Sequence, residues 1–170
     1  MGKFEFEFTD KKLRGDADEQ LFAKCILAEN PNAVIRWATT YEDNSRKHID
    51  LWVDDKPIDV KGRKSVGILN LEADAYTILE WLDAEGRLGW LHGEAEDIAF
   101  KRRNNFIISP RLKLLEYYKA NVKDEWVSDL NQAHLKKYQR FNSKEEMTAV
   151  HFNDIIAFSR VLNIPEDDRD

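Results

Sequence analysis

Two neighbouring stretches in the first half of the chain alternate between apolar and polar residues with a period of two. They are His48–Val53 and Pro57–Lys61, and the polar cluster Asp54-Asp55-Lys56 separates them. Alternation on both sides of a short turn-forming segment predicts an antiparallel β-hairpin. The apolar face of this hairpin is predicted to carry Ile49, Leu51, Val53, Ile58 and Val60.

The register of the predicted hairpin decides which polar residues meet. With the turn at Asp55-Lys56, Trp52 lies opposite Asp59 and Asp50 lies opposite Lys61. The period of two then places Asp50, Asp59 and Lys61 on the same polar face. A slip of one residue would turn Asp50 to the apolar side, so the apolar pattern itself favours the register that assembles the three.

Other elements are predicted from helical spacing, strand-like composition and stop signals. The predicted helices are Asp16–Glu29, Leu71–Glu85, Ser109–Asn121, Glu125–Tyr138 and Asn153–Leu162. The predicted strands outside the hairpin are Ala33–Thr40, Leu88–His92, Asp97–Lys101 and Asn105–Ile108, with Glu5–Phe8 as a strand or an N-terminal arm. This order predicts the α/β class, at the border of α+β, with a mixed β-sheet core flanked by helices. We expect one domain over residues 1–170, with a core of about 16–122 and a C-terminal helical extension of about 123–165.

Composition narrows the classes of protein. The 170 residues are 42% hydrophobic, which argues against a disordered chain. No apolar run has the length that a membrane helix needs, and the N-terminus lacks the apolar core of a signal peptide. A single cysteine, Cys25, excludes an intramolecular disulfide framework and a cysteine-rich zinc site. We therefore expect a cytoplasmic protein without a membrane partner.

The polar face of the hairpin has the composition of a magnesium site. Mg²⁺ prefers hard oxygen ligands, and Asp50 and Asp59 could bridge one ion. The main-chain carbonyl of Val60 could add a ligand. Lys61 could orient or help deprotonate a water and neutralise charge that develops on a phosphate. The alternative is a solvated ion pair between Lys61 and an aspartate, which would contribute about 1 kcal/mol or less.

The spacing of these residues resembles a known motif. Asp50, a short gap and Asp59-Val60-Lys61 are similar to the motif of the PD-(D/E)xK nuclease superfamily, although Ile49 replaces the proline. The resemblance implies a restriction-endonuclease-like fold: a helix, a three-strand meander that carries the acids and the lysine, another helix and a further strand. The predicted order matches from about residue 16 to residue 92. Many members carry a glutamate on the first helix, and Gly15-x-x-x-Glu19-x-x-Phe22 resembles that element, which implies a catalytic and metal-binding role for Glu19.

Two basic segments are candidates for contact with phosphates. Lys61-Gly62-Arg63-Lys64 leaves the strand with the lysine, and Lys101-Arg102-Arg103 opens a stretch without acidic residues that extends to Lys113. Such clusters can bind a nucleic-acid backbone. The alternatives are a polar loop for the first and a solvated hairpin tip for the second. The net charge of −6 argues weakly against a polyanionic partner, but these clusters remove most of that objection.

The sequence therefore favours a metal-dependent nuclease that hydrolyses phosphodiester bonds in nucleic acid, with DNA as the first expectation. The expected cofactor is Mg²⁺, with Mn²⁺ as a substitute, and the small size is consistent with a homodimer. Two alternatives stay open: an inactive nuclease-like module that binds nucleic acid or protein, and an endonuclease that acts on RNA.

Overall fold

The computed structural model describes residues 9–63 and 74–169 of the chain. These residues form three α-helices: α1 (Thr9–Glu29), α2 (Arg111–Asn121) and α3 (Phe152–Ile155). They also form ten strands: β1 (Ile35–Trp37), β2 (Leu51–Val53), β3 (Lys56–Lys61), β4 (Tyr76–Leu82), β5 (Asp97–Lys101), β6 (Asn105–Pro110), β7 (Lys123–Val127), β8 (Lys136–Tyr138), β9 (Glu146–His151) and β10 (Arg160–Asn163). Glu5–Phe8 and Lys64 lie outside the described residues.

The strands form two mixed sheets, so the protein belongs to the mixed α and β class. The first sheet has the order β1-β2-β3-β5-β6-β10, and the second has the order β4-β9-β8-β7. Neighbouring strands are antiparallel except for β3 with β5 and β7 with β8, which are parallel. Among the described helices, none combines the length and the apolarity that a bilayer crossing needs.

The predicted hairpin is confirmed as β2 and β3, but its predicted register is wrong by two residues. Leu51 pairs with Ile58 and Trp52 with Pro57. The turn is Asp54-Asp55, and both residues have positive φ angles, 48° and 66°, as a tight two-residue turn with the twist of the strands requires. Because the shift is two residues, the polar and apolar faces of β3 keep their predicted sides.

The first sheet is covered on both faces. On one face, α1 packs against the apolar side of the hairpin, with Phe22 in edge-to-face contact with Phe106 of β6 at 5.3 Å. On the other face, Ile98 and Phe100 of β5 share a buried cluster with residues of the second sheet and of α2. Asp59 and Lys61 belong to this second face, so their strand lies inside the protein between two layers.

The predicted helix over Leu71–Glu85 is wrong where the structure describes it. The segment forms β4, in which Ile78 and Leu79 are both buried and join different core clusters. A strand that is buried on both faces has a continuous apolar run, and such a run also satisfies helical spacing over a few turns.

The predicted helix over Glu125–Tyr138 is wrong, and the one over Asn153–Leu162 is confirmed only in its first half, so the extension of about 123–165 is not mainly helical. Most of this part of the chain forms strands β7 to β10, and α3 is only four residues long. β9 pairs with β4 and β10 pairs with β6, so pairing partners far away in sequence decide the structure here. Lys123–Val127 is almost wholly exposed, which removes the apolar alternation that marks a strand.

The remaining elements follow the sequence closely. The end of α1 at Glu29, strands β5 and β6 and the end of α2 at Asn121 are confirmed. α2 begins two residues later than predicted, because Ser109 belongs to β6 and hydrogen-bonds to Ser159. The predicted strand over Leu88–His92 is wrong, since Trp90–His92 is a 3-10 turn.

Candidate active site

Asp50 lies immediately before β2, and its carboxylate is held on both oxygens. The backbone N–H of Val60 donates to Oδ2 at 2.7 Å, and Nδ2 of Asn44 donates to Oδ1 at 2.9 Å. The Asp50 side chain thus continues the hydrogen bonding between β2 and β3 beyond the last pair of backbone groups. Val60 directs Asp50 through its amide and buries its own side chain in the core.

Asp59 and Lys61 form an ion pair on the inner face of β3. Lys61 Nζ lies 2.8 Å from Asp59 Oδ2, and Asp59 is only 2% exposed. Apart from this ion pair, the buried oxygen accepts no hydrogen bond from the described residues. Trp90 covers the lysine, with Nζ 5.2 Å from the ring centroid.

The pKa values of Asp50 and of Lys61 are both raised. Burial, and then the carboxylates of Asp59 and Glu19, raise the pKa of Asp50 to about 8. Burial alone would lower the pKa of Lys61, but the opposite charges of Asp59, Asp50 and Glu80 outweigh it and raise that pKa. Lys61 is therefore a cation at neutral pH, whereas Asp50 is mostly protonated there.

Helix α1 brings Glu19 to the same place. Its charge acts on Asp50, and the neighbouring Asp18 pairs with Lys101 at 3.0 Å at the end of β5. A Cβ atom on Gly62 would lie 2.9 Å from Asp18 Oδ2, so the glycine permits the close approach of the helix to the end of β3. The structure thus brings together Asp50, Asp59, Lys61 and Glu19, which we call the acidic site.

Three residues at the acidic site were not found by sequence reasoning. Asn44 belongs to the π-helical turn Glu42–Arg46, Trp90 belongs to the 3-10 turn after β4, and Glu80 lies in β4 itself. None has a local pattern that could have marked it, because each reaches the site through tertiary packing. His48 also lies near Lys61, since burial and then that lysine lower its pKa.

The side chains of the acidic site match the ligands that a hard cation requires only in part. Asp50 and Asp59 offer carboxylate oxygens, the ligand type that a hard cation prefers, although Oδ2 of Asp59 is already paired with Lys61. However, within residues 9–63 and 74–169 no group of three or more His, Cys, Asp or Glu side chains has an arrangement that could hold a metal ion. A divalent ion would therefore be held by the two aspartates, with the carbonyl of Val60 as a further predicted ligand.

The predicted nucleic-acid contacts divide into two groups. Lys101 is 11% exposed in its side chain and is paired with Asp18, so it supports the acidic site. Arg63 donates from Nε to Asp74 Oδ1 at 2.5 Å, and the backbone N–H of Arg103 donates to the same oxygen at 3.1 Å. The charge of Arg102 also acts on Asp74. The guanidinium of Arg102 lies 5.1 Å from the centroid of the Phe152 ring. We call Arg63, Arg102 and Arg103 the arginine cluster.

Comparison with known proteins adds no relative. No family model matches this chain, and neither a curated protein nor a solved structure does. Inference about function therefore depends on the geometry of the site.

Proposed function

We propose that this protein is a metal-dependent nuclease of the PD-(D/E)xK type that hydrolyses phosphodiester bonds in DNA. The observation that carries the proposal is the docking of the Asp50 carboxylate on the amide of Val60, between the two residues of the Asp59–Lys61 ion pair. Two carboxylates that can hold a divalent ion and a nearby ammonium group are groups that such a reaction can use.

The order of the described elements supports the proposal. Helix α1 precedes the meander β1-β2-β3, and β5 then lies parallel to β3 at the centre of the sheet. This order agrees with the fold that the motif resemblance implies. One departure is present, because the described part of the connection from β3 to β5 contains strand β4 where that fold has a helix.

The chain's own residues have separate roles in the proposed reaction. Asp50 and Asp59 would hold Mg²⁺, which lowers the pKa of a bound water and stabilises the negative charge of the transition state. Lys61 would orient the attacking water and face the phosphate as a cation, because its raised pKa makes it a poor proton acceptor. Glu19 would add a carboxylate from helix α1. Trp90 covers Lys61 and limits its movement.

A cleavage assay tests the proposal. Purified protein is incubated with supercoiled plasmid, branched DNA and RNA, each with Mg²⁺ and with EDTA. We expect Mg²⁺-dependent cleavage of DNA, and a loss of about 100-fold or more in Asp59→Asn and Lys61→Ala. Asp97→Asn is the matched control, because Asp97 lies on the adjacent strand and pairs with Lys56 at 3.4 Å, away from Asp50. Equal cleavage by Asp59→Asn and Asp97→Asn would refute the proposal, and cleavage of RNA alone would reassign the substrate.

A second candidate is an inactive module that keeps the fold and binds nucleic acid or protein. The neutralisation of Asp59 by Lys61 favours it. Calorimetry with Mn²⁺ separates the two candidates. Metal binding that Asp59→Asn abolishes supports the nuclease, whereas DNA binding without metal binding supports the module.

A further inference from the structure

Asp74 lies among hydrogen-bond donors and positive charges that could also bind an anion from solution. Its Oδ1 accepts from the side chain of Arg63 and from the backbone of Arg103. Burial alone would raise the pKa of Asp74, but these two donors and the charge of Arg102 outweigh it and lower that pKa. One carboxylate therefore faces the charges of two arginines, Arg63 and Arg102, and the backbone N–H of a third, Arg103.

The arginine cluster can still take a ligand. The side chains of Arg63 and Asp74 are 23% and 31% exposed, so solvent reaches their contact. Nε of Arg102 is buried and donates to no described residue. A guanidinium Nε–H, a backbone N–H and a second guanidinium are the donors with which proteins bind phosphate oxygens.

The position of the cluster connects it with the acidic site. Arg63 follows Lys61 by two residues, and Arg102 follows Lys101, which α1 ties to the end of β5 through Asp18. The arginines therefore come from the ends of the parallel strands β3 and β5, at the same edge of the sheet as Lys61. A nucleic-acid strand with a phosphate at Lys61 could place a neighbouring phosphate here.

We propose that Arg63, Arg102 and Arg103 form a phosphate-binding site for the backbone of the nucleic-acid substrate, and that Asp74 occupies this site until the backbone displaces it. The proposal rests on the proposed function, because that function supplies the nucleic acid. Asp74 then acts as an internal competitor that weakens binding of nucleic acid.

The first experiment measures the dissociation constant of Asp74→Asn for a fluorescently labelled DNA duplex by anisotropy, in EDTA so that no cleavage occurs. Loss of the competing charge should tighten binding roughly twofold to fivefold, the range expected for a partly exposed ion pair. Asp55→Asn is the matched control, since it removes the same charge from the β2–β3 turn at the opposite end of β3. Equal affinity of the two variants, or weaker binding by Asp74→Asn, would overturn the proposal.

A second experiment tests the arginines. Arg63→Gln should reduce the slope of log Kd against log salt by about one, as expected when one phosphate contact is lost. In this background Asp74→Asn should tighten binding less than it does in the wild type, because one of the donors that Asp74 occupies is gone while the Arg103 N–H and Arg102 remain. A gain of the same size in both backgrounds would show that Asp74 acts on DNA through general charge alone, and would refute the site.

Two controls separate the possible failures. Inorganic phosphate at matched ionic strength should displace labelled DNA from Asp74→Asn more strongly than chloride does, because the site binds phosphate oxygens; displacement no stronger than by chloride would contradict a phosphate site. If the wild-type protein cleaves plasmid but Asp74→Asn binds like Asp55→Asn, only the inference about Asp74 fails. If no substrate is cleaved but the Asp74→Asn and Arg63→Gln results hold, the phosphate site stands and the catalytic proposal fails.

Discussion

Lys61 Nζ lies 2.8 Å from Oδ2 of Asp59, whose side chain is almost completely removed from water. The pair neutralises a carboxylate that would otherwise be buried as an uncompensated charge. It also keeps the ammonium group at the point where Asp50 approaches β3. The same contact thus stabilises the fold and positions the candidate catalytic lysine.

Removal of the lysine charge should destabilise the protein in a way that a divalent cation reverses. Lys61→Met leaves Asp59 buried without its partner, and we expect a loss of about 1–3 kcal/mol in the free energy of unfolding in EDTA. Mg²⁺ should raise the melting temperature of this variant more than that of the wild type, because the ion replaces the lost positive charge.

The control for this prediction is the double variant Lys61→Met/Asp59→Asn. It has no buried charge, so it should recover stability in EDTA and lose the extra response to Mg²⁺. An equal Mg²⁺ response in the single and double variants would contradict the role assigned to Asp59.

Asp50 should make the metal-free protein less stable as the pH rises. Its pKa is about 8 in the folded protein, compared with about 3.9 in an unfolded chain. Between these values the folded state binds more protons than the unfolded state, so the free energy of unfolding falls as pH increases. Asp50→Asn, a neutral isostere, should remove much of this fall between about pH 5 and about pH 8 in urea denaturation with EDTA. The prediction is wrong if the variant and the wild type show parallel pH profiles.

Asn44 should act as a positioning residue for Asp50. Asn44→Ala removes the hydrogen bond to Oδ1, so the carboxylate loses one of its two fixed contacts. We expect the Mg²⁺ concentration for half-maximal cleavage to increase about tenfold, with little change in metal-free stability, because groups that orient metal ligands have effects of this size. Ser45→Ala in the same π-helical turn is the control. The same Mg²⁺ dependence in both variants would remove Asn44 from the site.

A different ion pair should contribute to the loss of stability in acid. Glu145 is 1% exposed and accepts from Arg140 Nε at 2.6 Å and from Nη2 at 2.5 Å. Burial alone would raise the pKa of Glu145, but Arg140 outweighs it and lowers that pKa. Its contribution is therefore complete above the unfolded pKa of about 4.3 and is lost as the pH falls through the folded value.

The test is urea denaturation of Glu145→Gln at neutral and acid pH. The variant should lose about 1–2 kcal/mol at neutral pH and show a smaller further loss in acid than the wild type. Glu125→Gln is the control, because Glu125 is exposed and its pair with Lys136 should contribute little. If Glu145→Gln leaves the free energy of unfolding unchanged, the pair adds no net stability.

Sequence reasoning was most successful where a strand has one apolar and one polar side. The period of two in the β2–β3 hairpin assigned the faces of Asp59 and Lys61, and these assignments survived the wrong register because the error was two residues. It failed for β4, where burial on both faces removes the alternation. It also failed for the C-terminal third of the chain, where distant strands decide the pairing.

The sequence by itself determined the hairpin, the faces of its residues and the end of α1, because each depends on neighbours within a few positions. Only the tertiary structure decided which charges outside the hairpin meet. It pairs Lys101 with Asp18, sets the arginine cluster around Asp74 and places Asn44 on Asp50, although no local pattern links these residues. Electrostatic and hydrogen-bond partners depend on separations of a few ångströms, and those separations are set by the packing of α1 and of the two sheets, which local periodicity does not encode.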